Sequence, residues 1–155
     1  MEEVNRKKAK SYALAHEMIE ESISRKCPLQ AIAIEESIIS DRLWSALNAK
    51  SSASAYKHET LGNALRVWSN ENQPKAFGYE GLTFQTLTRW YDSRNKLLHG
   101  IVKSFRGEGP KLAAVKFRES AMQAARDGLL LVRLVEKWSK RQVRRSKRVA
   151  MKEVL

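Results

Sequence analysis

From Phe117 to Trp138 the apolar and small residues return at alternating intervals of four and three: Phe117, Ala121, Ala124, Gly128, Leu131, Val135 and Trp138. That period places all seven on one stripe of an α-helix, whereas a half-buried strand requires strict alternation, which no segment of this chain offers. A stripe so regular is the seam of a helix lying nearly parallel or antiparallel to its neighbours. Ala121, Ala124 and Gly128 are small enough for another helix to approach closely. Pro110, following the turn "RGEGP", suits the first turn of this helix. The chain is therefore expected to be all-α.

Helical periodicity recurs upstream. A first helix is predicted over Asn5–Arg25, with Tyr12, His16, Ile19 and Ile23 on one face. His16 reads as a core histidine satisfied by a hydrogen bond. "KCPLQAIAIEESIISDRLWSALNAK" gives a second helix with Leu29, Ile32, Ile39, Leu43 and Leu47 as its stripe. At about 100° per residue, Glu36 falls inside that stripe and Glu35 at its edge. A carboxylate in an apolar seam needs a cation facing it. Two readings of Glu36 stand: a pair with Arg94, or a pair with Arg66 or a hydrogen bond to Tyr12. A Ser/Ala-rich loop is expected over 48–59, containing His58, then a short helix "TLGNALRVWS", then a loop "NENQPKAFGYEG" broken by Pro74, Gly78 and Gly81. The next helix, "LTFQTLTRWYDSRNKLLHG", has Phe84, Leu87, Tyr91, Leu98 and Val102 as its seam and is expected to stop at Gly100. The result is an up-and-down bundle of four main helices and one short one. Residues 1–140 form one domain, and 141–155 a basic C-terminal tail.

Charge narrows the partners. The chain has 29 Lys and Arg against 17 Asp and Glu, a net charge of +12, which concentrates polyanions around it. RNA or DNA is the first expectation, an acidic protein the second and an anionic membrane surface the third. Between Lys137 and Lys152 lie eight basic residues and none acidic, so Lys140, Arg141, Arg144, Arg145, Lys147 and Arg148 are candidate phosphate contacts. The same tail can be read as a solvated helix end, but the excess of bases over acids favours the phosphate reading. One cysteine, Cys27, excludes an internal disulfide and a cysteine-built zinc site, as expected in a reducing cytoplasm. "HEMIEE" lacks the second histidine of a zinc-protease helix, and no glycine loop cradles a nucleotide, so neither metal nor cofactor is expected. The N-terminus is charged, and the longest apolar run, "GLLLVRLV", is too short to span a bilayer.

The chemistry concentrates in "YDSRNKLLHGI", Tyr91 to Ile101. With Arg94 at zero on a helical wheel, Leu98 falls at about 40°, Asn95 at about 100° and His99 at about 140°. Arg94 and His99 thus flank Leu98 and Asn95 beside the apolar seam. RNA carries its own nucleophile, the 2′-hydroxyl, so its cleavage needs only a base, an acid and a cation for the phosphorane. Histidine can serve as base or acid. Arginine grips two phosphate oxygens, and asparagine can orient either partner. One histidine cannot easily flank a single phosphate on both sides, so a two-fold dimer is a requirement of this reading.

"RNKLLH" matches the R-N-x-x-x-H form of the R-x4–6-H motif of HEPN domains. The following Gly100, the helix start "FQTLTRWYDS" and the acid-bearing helix "AIAIEESIISDRL" also resemble that family, in an arrangement covering roughly Asn5 to Trp138. The resemblance implies a metal-independent endoribonuclease whose facing motif helices form one site across a homodimer. Arg94 and His99 would be catalytic and Asn95 supporting; Glu36, if paired with Arg94, would position it. It also implies a toxin or antiviral role with a neutralising or regulatory protein partner. Ile101 stands where some family toxins carry a modifiable tyrosine.

Competing readings remain beside it. A histidine followed by glycine suits an ordinary helix C-terminus. Trp44, Trp68, Trp90 and Trp138 can stack on bases or fill the core, and the core is favoured for Trp138. A non-catalytic helical nucleic-acid-binding or scaffold protein is the alternative function. A helix-turn-helix would need tighter loops than these.

Overall fold

The computed structural model describes residues 2–50, 59–70, 76–103 and 110–153. Expectations for His58, and for the side chains of Val102, Lys147 and Arg148, lie outside the described residues. Among the described residues five helices pack together: α1 (Glu2–Ser24), α2 (Pro28–Lys50), α3 (Leu61–Asn70), α4 (Phe84–Lys103) and α5 (Pro110–Glu153). Between α3 and α4 sits a small antiparallel hairpin, β1 (Ala76–Tyr79) and β2 (Leu82–Thr83). The all-α expectation holds apart from that hairpin, which replaces part of the expected loop. Gly78 and Gly81 adopt φ of 74° and 79°, the left-handed region such a turn needs. Phe77 stacks on Trp68 at 5.3 Å and meets Trp138 edge-on at 4.9 Å, so the hairpin is pinned by aromatic packing rather than by its own ladder.

Local chemistry sets the helix ends. α1 closes with Lys26 at φ 59°, while the Cys27 amide donates to Ser22 O at 2.8 Å and the Lys26 amide to Ile23 O at 3.1 Å. These are the paired bonds of a Schellman cap, with lysine where glycine is usual. α4 starts from a reciprocal cap: the Thr86 amide donates to Thr83 Oγ1 at 3.0 Å and the Thr83 amide to Thr86 Oγ1 at 2.9 Å. The helix then passes through Gly100 and reaches Lys103, so the expected stop at that glycine is corrected.

α2 is the central helix, packed against α1, α3 and α5, and α4 lies on α5. Every expected seam residue of α5 from Ala121 to Trp138 is buried, with Phe117 half-buried. The 44-residue helix is about 66 Å long at ~1.5 Å per residue. The expected basic tail is its direct continuation. All four tryptophans are buried, in line with the core reading rather than base stacking. In α4, Trp90 is buried and Leu98 is 37% exposed, so the seam runs through Trp90 and leaves Leu98 outside it. The Trp90 indole donates to Ala124 O at 2.9 Å, joining α4 to α5.

The two α2 carboxylates exchange roles. Glu35 is wholly buried, and Glu36, at 15% side-chain exposure, sits at the margin. The stripe read from Leu29, Ile32, Ile39, Leu43 and Leu47 omitted Ala31, Ile38 and Ala46, which are also buried. Adding them widens the buried arc toward Glu35. Among the described residues neither Glu35 oxygen has a hydrogen-bond partner. Burial, followed by the nearby Asp127 charge, pushes its carboxyl up to about 8.

Gly128 makes room for that carboxyl. A Cβ there would collide with Glu35 Oε2 and lie 2.8 Å from Trp90 Cζ2. Both neighbours are buried and cannot swing into solvent. Gly128→Ala is therefore expected to cost roughly 1–3 kcal/mol despite its better helix propensity, as read from a urea melt. A neutral or stabilising result would contradict this packing.

Candidate functional site

α4 presents different faces to its neighbours. Tyr91 turns toward α3, where a Cβ on Gly62 would meet its ring at 2.9 Å. Arg94 turns toward α2 and forms an ion pair with Glu36, Nη2 donating to Oε2. Its Nη1 donates to Asn95 Oδ1 at 2.6 Å. Arg94 Nε is buried without a hydrogen-bond partner among the described residues. Of the two readings of Glu36, the structure has the Arg94 pair. Both side chains are mostly covered, 22% and 15% exposed, so the guanidinium is held in one orientation.

His99 lies on the exposed side of the same helix. It follows Arg94 by about 140° and ~7.5 Å of rise. Among the described residues no hydrogen bond or ion pair reaches its ring. Leu98, exposed at 37%, lies between the two. The arrangement offers a fixed cation, an unengaged imidazole and an uncovered apolar side chain on one end of α4. A hollow of about 400 Å³ opens beside Glu36, and Asp41 and Glu59 also line it.

The larger cavity, about 800 Å³, is on the other flank of α4, where it faces α5. Arg89, Ser93 and Lys96 line it, at about 220°, about 260° and about 200° on the wheel that has Arg94 at zero. Sequence reasoning missed this groove. A polar and basic i, i+4, i+7 face looks like any solvent-exposed helix surface until a second helix is set opposite it.

Of the expected nucleic-acid contacts, Lys140, Arg141, Arg144 and Arg145 are exposed on α5. The Arg141 guanidinium lies 5.8 Å from the Tyr79 ring centroid, linking the helix to the hairpin. His16 has a partner, Glu136, at 3.0 Å. It belongs to a network that ties α1 to α2 and α5. Arg42 stacks on the Tyr12 ring at 3.9 Å, and Tyr12 donates a hydrogen bond to Asp41. Burial, then the Asp41 hydrogen bond, raises the Tyr12 phenol. Burial also pushes Asp41 upward, but hydrogen bonds from Tyr12 and Lys8 and the charges of Lys8 and Arg42 outweigh it and hold the carboxyl below its ordinary value.

Among the described residues no helix is long and apolar enough to cross a membrane, and no group of three or more His, Cys, Asp or Glu side chains could hold a metal ion. Comparisons with protein-family models, with curated proteins and with solved structures returned no match.

Proposed function

We propose that the chain is a metal-independent endoribonuclease of HEPN type, acting as a homodimer with a composite site built from Arg94, Asn95 and His99 of two copies. The observation that carries this reading is the Arg94 guanidinium fixed by Glu36 and Asn95, with an unengaged His99 farther along the same helix. Glu36 holds the arginine from behind, while the Asn95 bond at Nη1 is the one a phosphate oxygen can replace. The 2′-hydroxyl of the RNA attacks its own phosphorus and the 5′ oxygen leaves. One His99 accepts the 2′ proton, the second copy's His99 protonates the leaving oxygen, and Arg94 stabilises the phosphorane charge. Exposed Leu98, set between the two groups, provides apolar surface for the second copy. The charge of +12 supports RNA as the substrate. A toxin or antiviral defence role, in the cytoplasm and under a neutralising or regulatory protein, is the setting that goes with this chemistry.

A second reading has its own support. Glu36 and Asn95 together engage both terminal nitrogens of Arg94, as they would in a purely structural pair. The protein would then be a non-catalytic nucleic-acid-binding or scaffold protein. Incubation of the pure protein with end-labelled single-stranded RNA in excess chelator separates the two. The enzyme reading expects RNA to be cut and the matching DNA to survive. Intact RNA at stoichiometric protein, with the RNA bound, would establish the binding reading.

A further inference from the structure

The α4–α5 groove is distinct from the Arg94 site and lies on the opposite flank of α4. Its floor is apolar: half-buried Leu97 and Phe117 form its accessible surface, with buried Trp90 and Leu131 packed behind them. Among the described lining residues, Arg89, Lys96 and Lys116 stand on its walls against one acid, Asp127, whose carboxylate accepts a hydrogen bond from Gln123 at 2.9 Å. The stripe of α5 that faces the groove does not end with it. With Lys116 at zero, Gln123 falls at about 340°, Leu130 at about 320°, Lys137 at about 300°, Arg141 at about 340° and Arg145 at about 20°. One face of one helix thus runs from the groove, past Gly81 and Tyr79 of the hairpin, into the basic C-terminal end.

We infer that this groove and the basic stripe beyond it are a track for single-stranded RNA, with bases against the apolar floor and phosphates on the flanking cations. The choice of RNA rests on the nuclease reading. The charge and shape arguments are independent of it. An amphiphilic polyanion matches apolar floor and cationic walls together, and a single strand exposes its bases for such contact. A duplex keeps its bases stacked inside and cannot place them on the floor. A second copy seated here through an isologous contact would oppose two surfaces of the same positive charge.

The test uses the full chain carrying His99→Ala, so that binding is read without cutting. Fluorescence anisotropy with labelled single-stranded RNA is followed across a salt series. Arg89→Glu with Lys96→Glu is expected to weaken binding roughly tenfold or more and to reduce the salt slope by about 1.4, from ~0.7 per lost contact on a single strand. Ser93→Trp, which fills the exposed groove without changing charge, is expected to weaken binding as well. RNA bearing 4-thiouridine should crosslink to peptides containing Phe117 or Lys116 in the His99→Ala protein, a readout that needs no groove variant to fold. Affinity within twofold of the His99→Ala protein for both groove changes, or crosslinks confined to other peptides, would overturn the track. So would equal competition by a mononucleotide, which would make the groove a small-ligand site. Dissociation of a dimer by the groove changes would assign it to a second copy. A protein that binds RNA in the groove yet never cuts it keeps this inference and loses the nuclease.

Discussion

His99→Ala is expected to lower the rate of RNA cleavage roughly 10²–10⁴-fold while leaving the melting temperature and RNA affinity nearly unchanged. The ring is exposed and no described residue bonds to it, so its removal opens no cavity and strands no buried group. Arg94→Ala should abolish cleavage too, but less cleanly. It leaves the Glu36 carboxylate, 15% exposed, without its cation, and truncating one partner of a covered pair destabilises the fold. Arg94→Lys separates the two effects. It retains a charge for Glu36 but cannot engage Glu36 and a phosphate with a planar fork. It should therefore recover stability and not rate. Single-turnover cleavage and thermal melts of the three variants check this. A His99→Ala protein that cuts as fast as its parent would remove the imidazole from the mechanism.

Glu35→Gln is expected to stabilise the protein increasingly as pH rises. The parent carboxyl titrates near 8 in the fold against 4.5 unfolded, because it is buried first and repelled by Asp127 second. Below 4.5 both states hold the proton and the group adds no pH dependence. Between 4.5 and 8 the native state keeps a proton that the unfolded state releases, so stability falls with rising pH, then levels off above 8. Each unit of that window is worth at most about 1.4 kcal/mol, a few kcal/mol in all. Glutamine cannot ionise and removes the slope. Any cost of burying its amide is constant with pH and appears as an offset at low pH. Urea melts of both proteins from pH 4 to 9 should give a difference that widens toward pH 8 in favour of Glu35→Gln. A difference flat across that range would mean that Glu35 is not a buried neutral acid.

The seams of the helices were legible wherever a helix buries one stripe. The spacings from Ala121 to Trp138 predict the centre of the buried face of α5, whose margin also takes in Ala125, Val132 and Ser139. α2 was harder because it is enclosed by three helices, so a wheel drawn on its five largest aliphatics underestimates the buried arc and puts the wrong carboxylate inside. On α4 the exchange of Trp90 for Leu98 has a related cause. Trp90 reaches the Ala124 carbonyl only because small residues on α5 let the helices approach. The hairpin escaped detection because so few residues carry no period, and what holds Phe77 is Trp68 and Trp138, remote in sequence. At the site, the Arg94–Glu36 pair was one of two readings the sequence left open, and the carboxylate inside the seam is Glu35 rather than Glu36. The groove is made by two helices together, and neither sequence contains it alone.

The chemical ends left on the RNA test the central claim most directly. Mass spectrometry of fragments formed in excess chelator should find 2′,3′-cyclic phosphate on one side of the cut and a 5′-hydroxyl on the other. They should be lost with His99→Ala and from RNA blocked at the 2′ position. Fragments ending in 3′-hydroxyl and 5′-phosphate, or cutting that survives the 2′ block, would contradict a site built on Arg94 and His99 that uses the substrate's own hydroxyl.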